Sequence, residues 1–217
     1  MPLFIVFYLG LLVTINGLTV LRWNFLSKSD KQIAILILIT TLDELVAYLV
    51  QQFHQNNLVV YHAYSPLELL CISLYFNESI ILFKQYGIGI IVAILGFAFA
   101  IFNAIFLQKP STMNFNFLLL EGAVINVYCL FAFRQIALGG IDKLQRLAQF
   151  WITSSLLLYW SLTFTGWGIT AIAGQQTNSV FGVFYKVLTT VNFLFYITIA
   201  LVFYFYKKLI PSRSEKI

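Results

Sequence analysis

Five acidic residues fall inside apolar stretches of this 217-residue chain: Asp43, Glu44, Glu68, Glu78 and Glu121. An ionisable side chain in a bilayer core costs at least about 2.5–3.5 kcal/mol on insertion scales. Such groups therefore face an interior, find partners, and serve proton or ion pathways or hold polar parts of a ligand. Glu68 has the richest surroundings. The stretch NNLVVYHAYSPLELL, residues 56–70, spaces Tyr61, Tyr64, Ser65 and Glu68 by three and four, and Cys71, Tyr75 and Glu78 continue the stripe. That spacing puts them on one helix face. Comparable stripes run through Thr41, Glu44, Tyr48, Gln51 and Gln55, through Asn114, Phe117, Glu121 and Tyr128, through Thr153, Trp160, Thr163 and Trp167, and through Tyr185, Thr189, Asn192 and Tyr196.

Glu44, Glu68, Glu121 and Lys186 are expected to converge near mid-depth, with His62 and Asn192 beside them and Tyr61 and Trp160 supplying aromatic contact area. This set reads as the lining of a ligand pocket, without a catalytic group, metal or cofactor. His54 and His62 are too few for the three-histidine site of many zinc hydrolases. Lys186 lies one or two turns from the outer end of its span, which argues against a retinal site. The competing reading is that the stripes are hydrogen-bonding glue between helices. Glu78, beside Asn77 and Lys84 near the other end of its stripe, is expected to be an ion-paired structural group.

These stripes need long helices to carry them. The chain is 60% hydrophobic and 10% charged, with a mean hydropathy of +0.88, whereas a soluble domain is about 25% charged. A bilayer core takes roughly 20 apolar residues per helix. Seven stretches qualify: 3–22, 33–52, 59–83, 86–107, 115–134, 149–173 and 180–206. The predicted fold is an all-α, polytopic seven-transmembrane-helix bundle over residues 1–206, followed by a basic tail over 207–217. The first stretch lacks a basic leader and a small-residue cleavage site, so it is expected to be retained. Cys71 and Cys129 sit in apolar runs and read as packing residues.

Basic residues orient the bundle. Eleven of the thirteen lysines and arginines fall in the loops and tail on one side, including Arg22, Lys28, Lys31, Lys143, Arg146, Arg213 and Lys216, and only Lys109 faces the other. The positive-inside rule then puts the N-terminus out and the C-terminus in, with positions 56 and 176 outside and 29 and 212 inside. The pI near 9.2 reflects loops facing anionic lipid rather than a nucleic-acid partner. Residues 61–68, YHAYSPLE, can also be laid over 185–192, YKVLTTVN, which hints at a parallel repeat of three helices. The stripes lead us to expect the first and fourth spans to face more lipid than the others.

NNLVVYHAYSPLELL, the FNFLLLEGAVINVY opening of the fifth span, AQFWITSSLLLYW in the sixth, and a seventh-span asparagine followed by FLFYITIALVFYFYKK together resemble a family of uncharacterised seven-transmembrane-helix proteins of Bacteroidota. The resemblance covers nearly the whole chain and implies a multi-pass protein of the bacterial inner membrane. Similar membrane modules look like the sensory parts of some bacterial kinases, which implies a sensing role by analogy. The resulting expectation is a sensor-like protein that holds a small amphipathic or lipid ligand in an outward-facing polar pocket and signals through a membrane or cytoplasmic protein partner. A proton-coupled small-molecule transporter is the alternative. An intramembrane enzyme and a structural subunit of a membrane complex stand behind it.

Overall fold

Ser27 starts the second helix. Its Oγ accepts a hydrogen bond from the Asp30 backbone N–H at 3.0 Å, the Ser-x-x-acid form of an N-terminal cap. In the reciprocal half of that motif, the acid bonds the cap residue's own N–H. Here the Tyr206 hydroxyl does so instead, accepting from Ser27 N at 2.9 Å and donating to Asp30 Oδ2, which also accepts from Ser27 Oγ at 2.7 Å. Asp30 is 1% exposed, so this knot ties the end of the last helix to the start of the second inside the protein.

The computed structural model describes residues 3–54, 56–139, 144–173 and 178–209. Positions 176 and 212, the basic residues Lys143, Arg213 and Lys216, and the side chains of His54 and Tyr185 lie outside what is described. The described chain is helical, with no strand: α1 (Leu3–Arg22), α2 (Lys28–His54), α3 (Leu58–Ser79), α4 (Ile81–Tyr86), α5 (Ile88–Phe102), α6 (Phe115–Leu138), α7 (Ala148–Ala173) and α8 (Asn178–Phe205). A π-helical turn over Asn103–Leu107 extends α5. Five stretches are long and apolar enough to cross a membrane: Lys28–Phe53, Leu58–Ser79, Ile88–Leu107, Phe115–Leu138 and Lys186–Lys208. Side chains such as Phe7, Val20, Phe53, Ile94, Leu130 and Leu201 are exposed on the outer surface. A soluble protein would cover such a belt; lipid does so here.

Helices α1, α2, α3, α6, α7 and α8 close into a ring in that order, α8 returning to α1, while α5 braces α3 from outside. The first span therefore belongs to the ring and reaches the cavity through Tyr8 and Leu9, while Phe7, Val13, Val20 and Leu21 stay exposed on its outer side. The expectation for the fourth span fits α5, in which only Gly89, Ala93 and Gly96 are buried.

One half of the bundle is solid. Ile37, Ile72, Tyr75, Phe76, Ile125, Cys129, Ile152, Leu156, Ile199 and Phe203 fill it, and Cys71 and Cys129 are free packing residues within the buried set. Polar clamps hold its end. Gln135 donates to the Ser79 carbonyl at 2.8 Å and accepts from Ile81 N at 2.7 Å, so one side chain bridges the break between α3 and α4. Glu78 pairs with Lys28 at 3.0 Å and Lys84 at 3.8 Å, the ionic structural role its position suggested. Gly87, at φ +64°, turns the chain from α4 into α5, a left-handed conformation that glycine adopts without steric cost.

Candidate functional site

The other half of the bundle is hollow. A cavity of about 440 Å³ lies inside the ring and is lined from α1, α2, α3, α6, α7 and α8. It extends to Asn57 at the start of α3 and to Met113 and Asn114 ahead of α6. This size suits a small molecule, since ligand pockets run from about 300 to 1,000 Å³.

Local chemistry fixes the rim. Asn56 Oδ1 accepts from Leu58 N at 3.0 Å and begins α3, and its Nδ2 donates to the Ser111 carbonyl at 3.3 Å. His62 Nε2 meets the Thr112 carbonyl at 2.7 Å. Beside it, Asn103 in the π-helical turn donates to Asn114 Oδ1 at 2.7 Å and accepts from Asn116 Nδ2 at 3.1 Å. These amides pin the loop before α6 against α3 and the end of α5, so the rim is built from bonded groups. Pro66 is the ninth residue of α3 and lies inside the helix. It cannot donate to the His62 carbonyl, and Ser65 beside it donates its hydroxyl to the neighbouring Tyr61 carbonyl at 2.9 Å.

Six of the eight residues expected at the site line the cavity: Glu44, Tyr61, His62, Glu68, Trp160 and Asn192. Glu68 is half-buried, with Tyr64 in hydrogen-bonding contact and Asp43 within electrostatic reach. Tyr64 is held in turn by Thr40 at 2.8 Å. Glu44 accepts from the Tyr8 hydroxyl at 3.3 Å. Tyr8 also packs edge-on against Tyr196, with ring centroids 5.7 Å apart.

Glu121 lies behind the wall rather than in it. It is 0% exposed, neither carboxyl oxygen has a hydrogen-bond partner, and Glu68 and Tyr159 are within electrostatic reach. Lys186 is exposed and does not contribute to the wall. At about 100° per residue, it lies roughly 100° around α8 from the centre of the face formed by Leu188, Thr189, Asn192 and Tyr196, which line the cavity. Laying His62 over Lys186 thus pairs a cavity residue with an outward one, and the register of the supposed repeat fails at that position.

The sequence reading placed Asp43 among the membrane acids but left it out of the site, and it missed Tyr8 altogether. Asp43 is adjacent to Glu44 and both reach the cavity because each end of that pair straddles the inward face of α2. Tyr8 sits alone in an apolar helix, where no stripe could mark it. Among the described residues no group of three or more histidines, cysteines or acids is placed to hold a metal ion. No family model matches the chain, and neither a curated protein nor a solved structure matches it.

Proposed function

We propose that the chain is a seven-span protein of the bacterial inner membrane, N-terminus out and C-terminus in, whose outward-facing cavity binds a small amphipathic or lipid ligand in a sensing role. The observation that carries this is the cavity: polar and aromatic groups from α1, α2, α3, α7 and α8 converge on one hollow. α1 and the Ser-, Thr- and Trp-bearing α7, 26 residues long, complete the seven crossings alongside the five stretches that are long and apolar enough to cross. The Bacteroidota resemblance belongs to the same reading. Signalling requires two helix arrangements with different ligand affinity, and a cavity walled by all six ring helices suits that requirement.

Orientation is checked by thiol labelling in intact cells with an impermeant reagent. Asn56→Cys and Ser111→Cys should react, and Asn24→Cys and Gln145→Cys should not. All four positions are exposed, whereas Ser29 is fully buried and cannot report its side. The opposite labelling pattern would reverse the topology and close the cavity to the outside.

The pocket is tested at Glu68. Glu68→Gln keeps the shape and most of the hydrogen bonding but removes the charge, and charge-assisted bonds are roughly twice as strong as neutral ones. The purified variant should melt like wild type, yet lose the rise in melting temperature that a native lipid extract gives wild type. A ligand at 100 times its Kd contributes about 2.7 kcal/mol, which sets the size of the loss. Glu78→Gln should keep the extract effect, since Glu78 lies outside the cavity and pairs with Lys28 and Lys84. Equal stabilisation of all three proteins would make Glu68 structural glue.

A second reading, a proton-coupled transporter, draws on Glu121. An acid behind the cavity, in reach of Glu68, resembles the start of a relay. Substrate-dependent proton uptake by vesicles containing the protein would favour that reading over a sensor.

A further inference from the structure

The described wall of the cavity carries three carboxyl groups, Asp43, Glu44 and Glu68, and neither lysine nor arginine. Asp43 is within electrostatic reach of both glutamates, so the three act on one region of space. Eight of the lining residues are aromatic. An ammonium removed from water is costly unless paired and hydrogen-bonded, and both a carboxylate and an aromatic face offset that cost. An anionic occupant would meet three acids and no described basic side chain except His62, whose Nε2 is already engaged by Thr112. One more group is unsatisfied. Trp160 lines the cavity, is 1% exposed, and its indole N–H has no hydrogen-bond partner. An indole N–H can only donate, so it calls for an acceptor on whatever fills the hollow.

We propose that the occupant is a small organic cation, an ammonium on an apolar or aromatic body, with a hydroxyl or carbonyl oxygen that accepts from Trp160. The acids Asp43, Glu44 and Glu68 hold the charge, the tyrosines enclose the body, and Trp160 sets its orientation. This proposal rests on the reading of the cavity as a ligand site and narrows the ligand class from amphipathic molecules in general to cations. An anionic lipid headgroup does not fit it.

Three probes that share a phenyl ring and a benzylic hydroxyl test the charge alone: 2-amino-1-phenylethanol, its neutral N-acetyl derivative, and anionic mandelate. Each is titrated calorimetrically into the full-length chain in lipid nanodiscs. The cation should bind with a Kd at least tenfold lower than either of the others. Glu68→Gln should weaken the cation at least tenfold, leave the neutral probe unchanged and strengthen rather than weaken mandelate, whose repulsion by the acids it relieves. Asp43→Asn gives the same comparison if Glu68→Gln folds poorly. Trp160→Phe, which keeps a ring but loses the donor, should weaken all three probes by a similar factor. Binding of the N-acetyl probe or mandelate as tightly as the amine overturns the cation proposal. So does the absence of binding by all three probes, and if the lipid extract still stabilises wild type through Glu68, the pocket itself survives. Loss of the extract effect as well removes both.

Discussion

Gly89→Ala is expected to destabilise the purified protein by about 3 kcal/mol, the upper end of what overpacking usually costs. Gly96→Ala, seven residues along the same helix, should cost less than about 1 kcal/mol by the same reasoning. Both glycines are buried where α5 meets α3. A methyl at Gly89 would collide with the Ser73 carbonyl oxygen and lie 2.6 Å from Asn77 Cβ. The carbonyl belongs to the backbone of α3 and cannot rotate away, so the helices must separate. Separation also stretches the Gly89 N–H bond to Asn77 Oδ1, now 3.2 Å. A methyl at Gly96 meets Leu69 Cδ2 at 2.5 Å and Leu69 Cγ at 3.6 Å, and the tip of a leucine can turn. Small residues that let helix backbones approach are a common device in membrane packing. α5 stands outside the ring and braces the helix that presents Glu68, so the damage should reach the cavity too. Thermal unfolding midpoints of both variants decide the matter. Equal midpoints would show that the contact between α3 and α5 is loose enough to absorb a methyl anywhere along it.

Apolar run length made the helical class and most of the helices legible, because a bilayer-spanning segment has few alternatives to a helix. The ends were less legible, and for a physical reason. Hydropathy marks where a helix is greasy, whereas caps mark where it begins. The second stretch was expected to start at residue 33, but Ser27 and Asp30 start α2 at Lys28, five residues earlier. The third was expected to run to 83, but Ile80 adopts an extended conformation, ψ 120°, and α3 stops at Ser79. Ile80 is itself apolar, and its break is held by Gln135 from a distant helix, a long-range bond that no local pattern reveals.

The candidate site was legible where charge is expensive. Glu44 and Glu68 stood out because a membrane helix rarely carries an acid without a reason, and the spacing of three and four correctly put Tyr61 and Tyr64 beside Glu68 on the cavity side of α3. Spacing failed where depth alone was used. Lys186 is exposed beside the cavity-lining face of α8 rather than on it, since periodicity needs anchors such as Leu188 and Asn192 to fix the angle. Tyr8 was invisible for the opposite reason. Its hydroxyl donates to Glu44 across the gap between α1 and α2, and only the closing of the ring brings the two together.

Glu121 should behave as a group that the fold would be more stable without. It is completely buried and neither oxygen has a hydrogen-bond partner. A buried polar group left unsatisfied costs about 1–3 kcal/mol. Methionine is an unbranched side chain of comparable length with no such demand, so Glu121→Met should stabilise the fold by an amount in that range, read as a higher unfolding midpoint. Glu121→Gln leaves an unpaired polar group in the same place and should bring no comparable gain. The same methionine variant should lose much of the stabilisation that the lipid extract gives wild type, because Glu121 is the acid within electrostatic reach of Glu68 on the side away from the cavity. A gain in stability with a loss of response is what a functional group held at structural expense produces. If Glu121→Met melts at or below the wild-type temperature, Glu121 has partners that its surroundings do not show. If it gains stability and responds to the extract as wild type does, the cavity works through Asp43, Glu44 and Glu68 alone, and the relay that favours a transporter loses its second member.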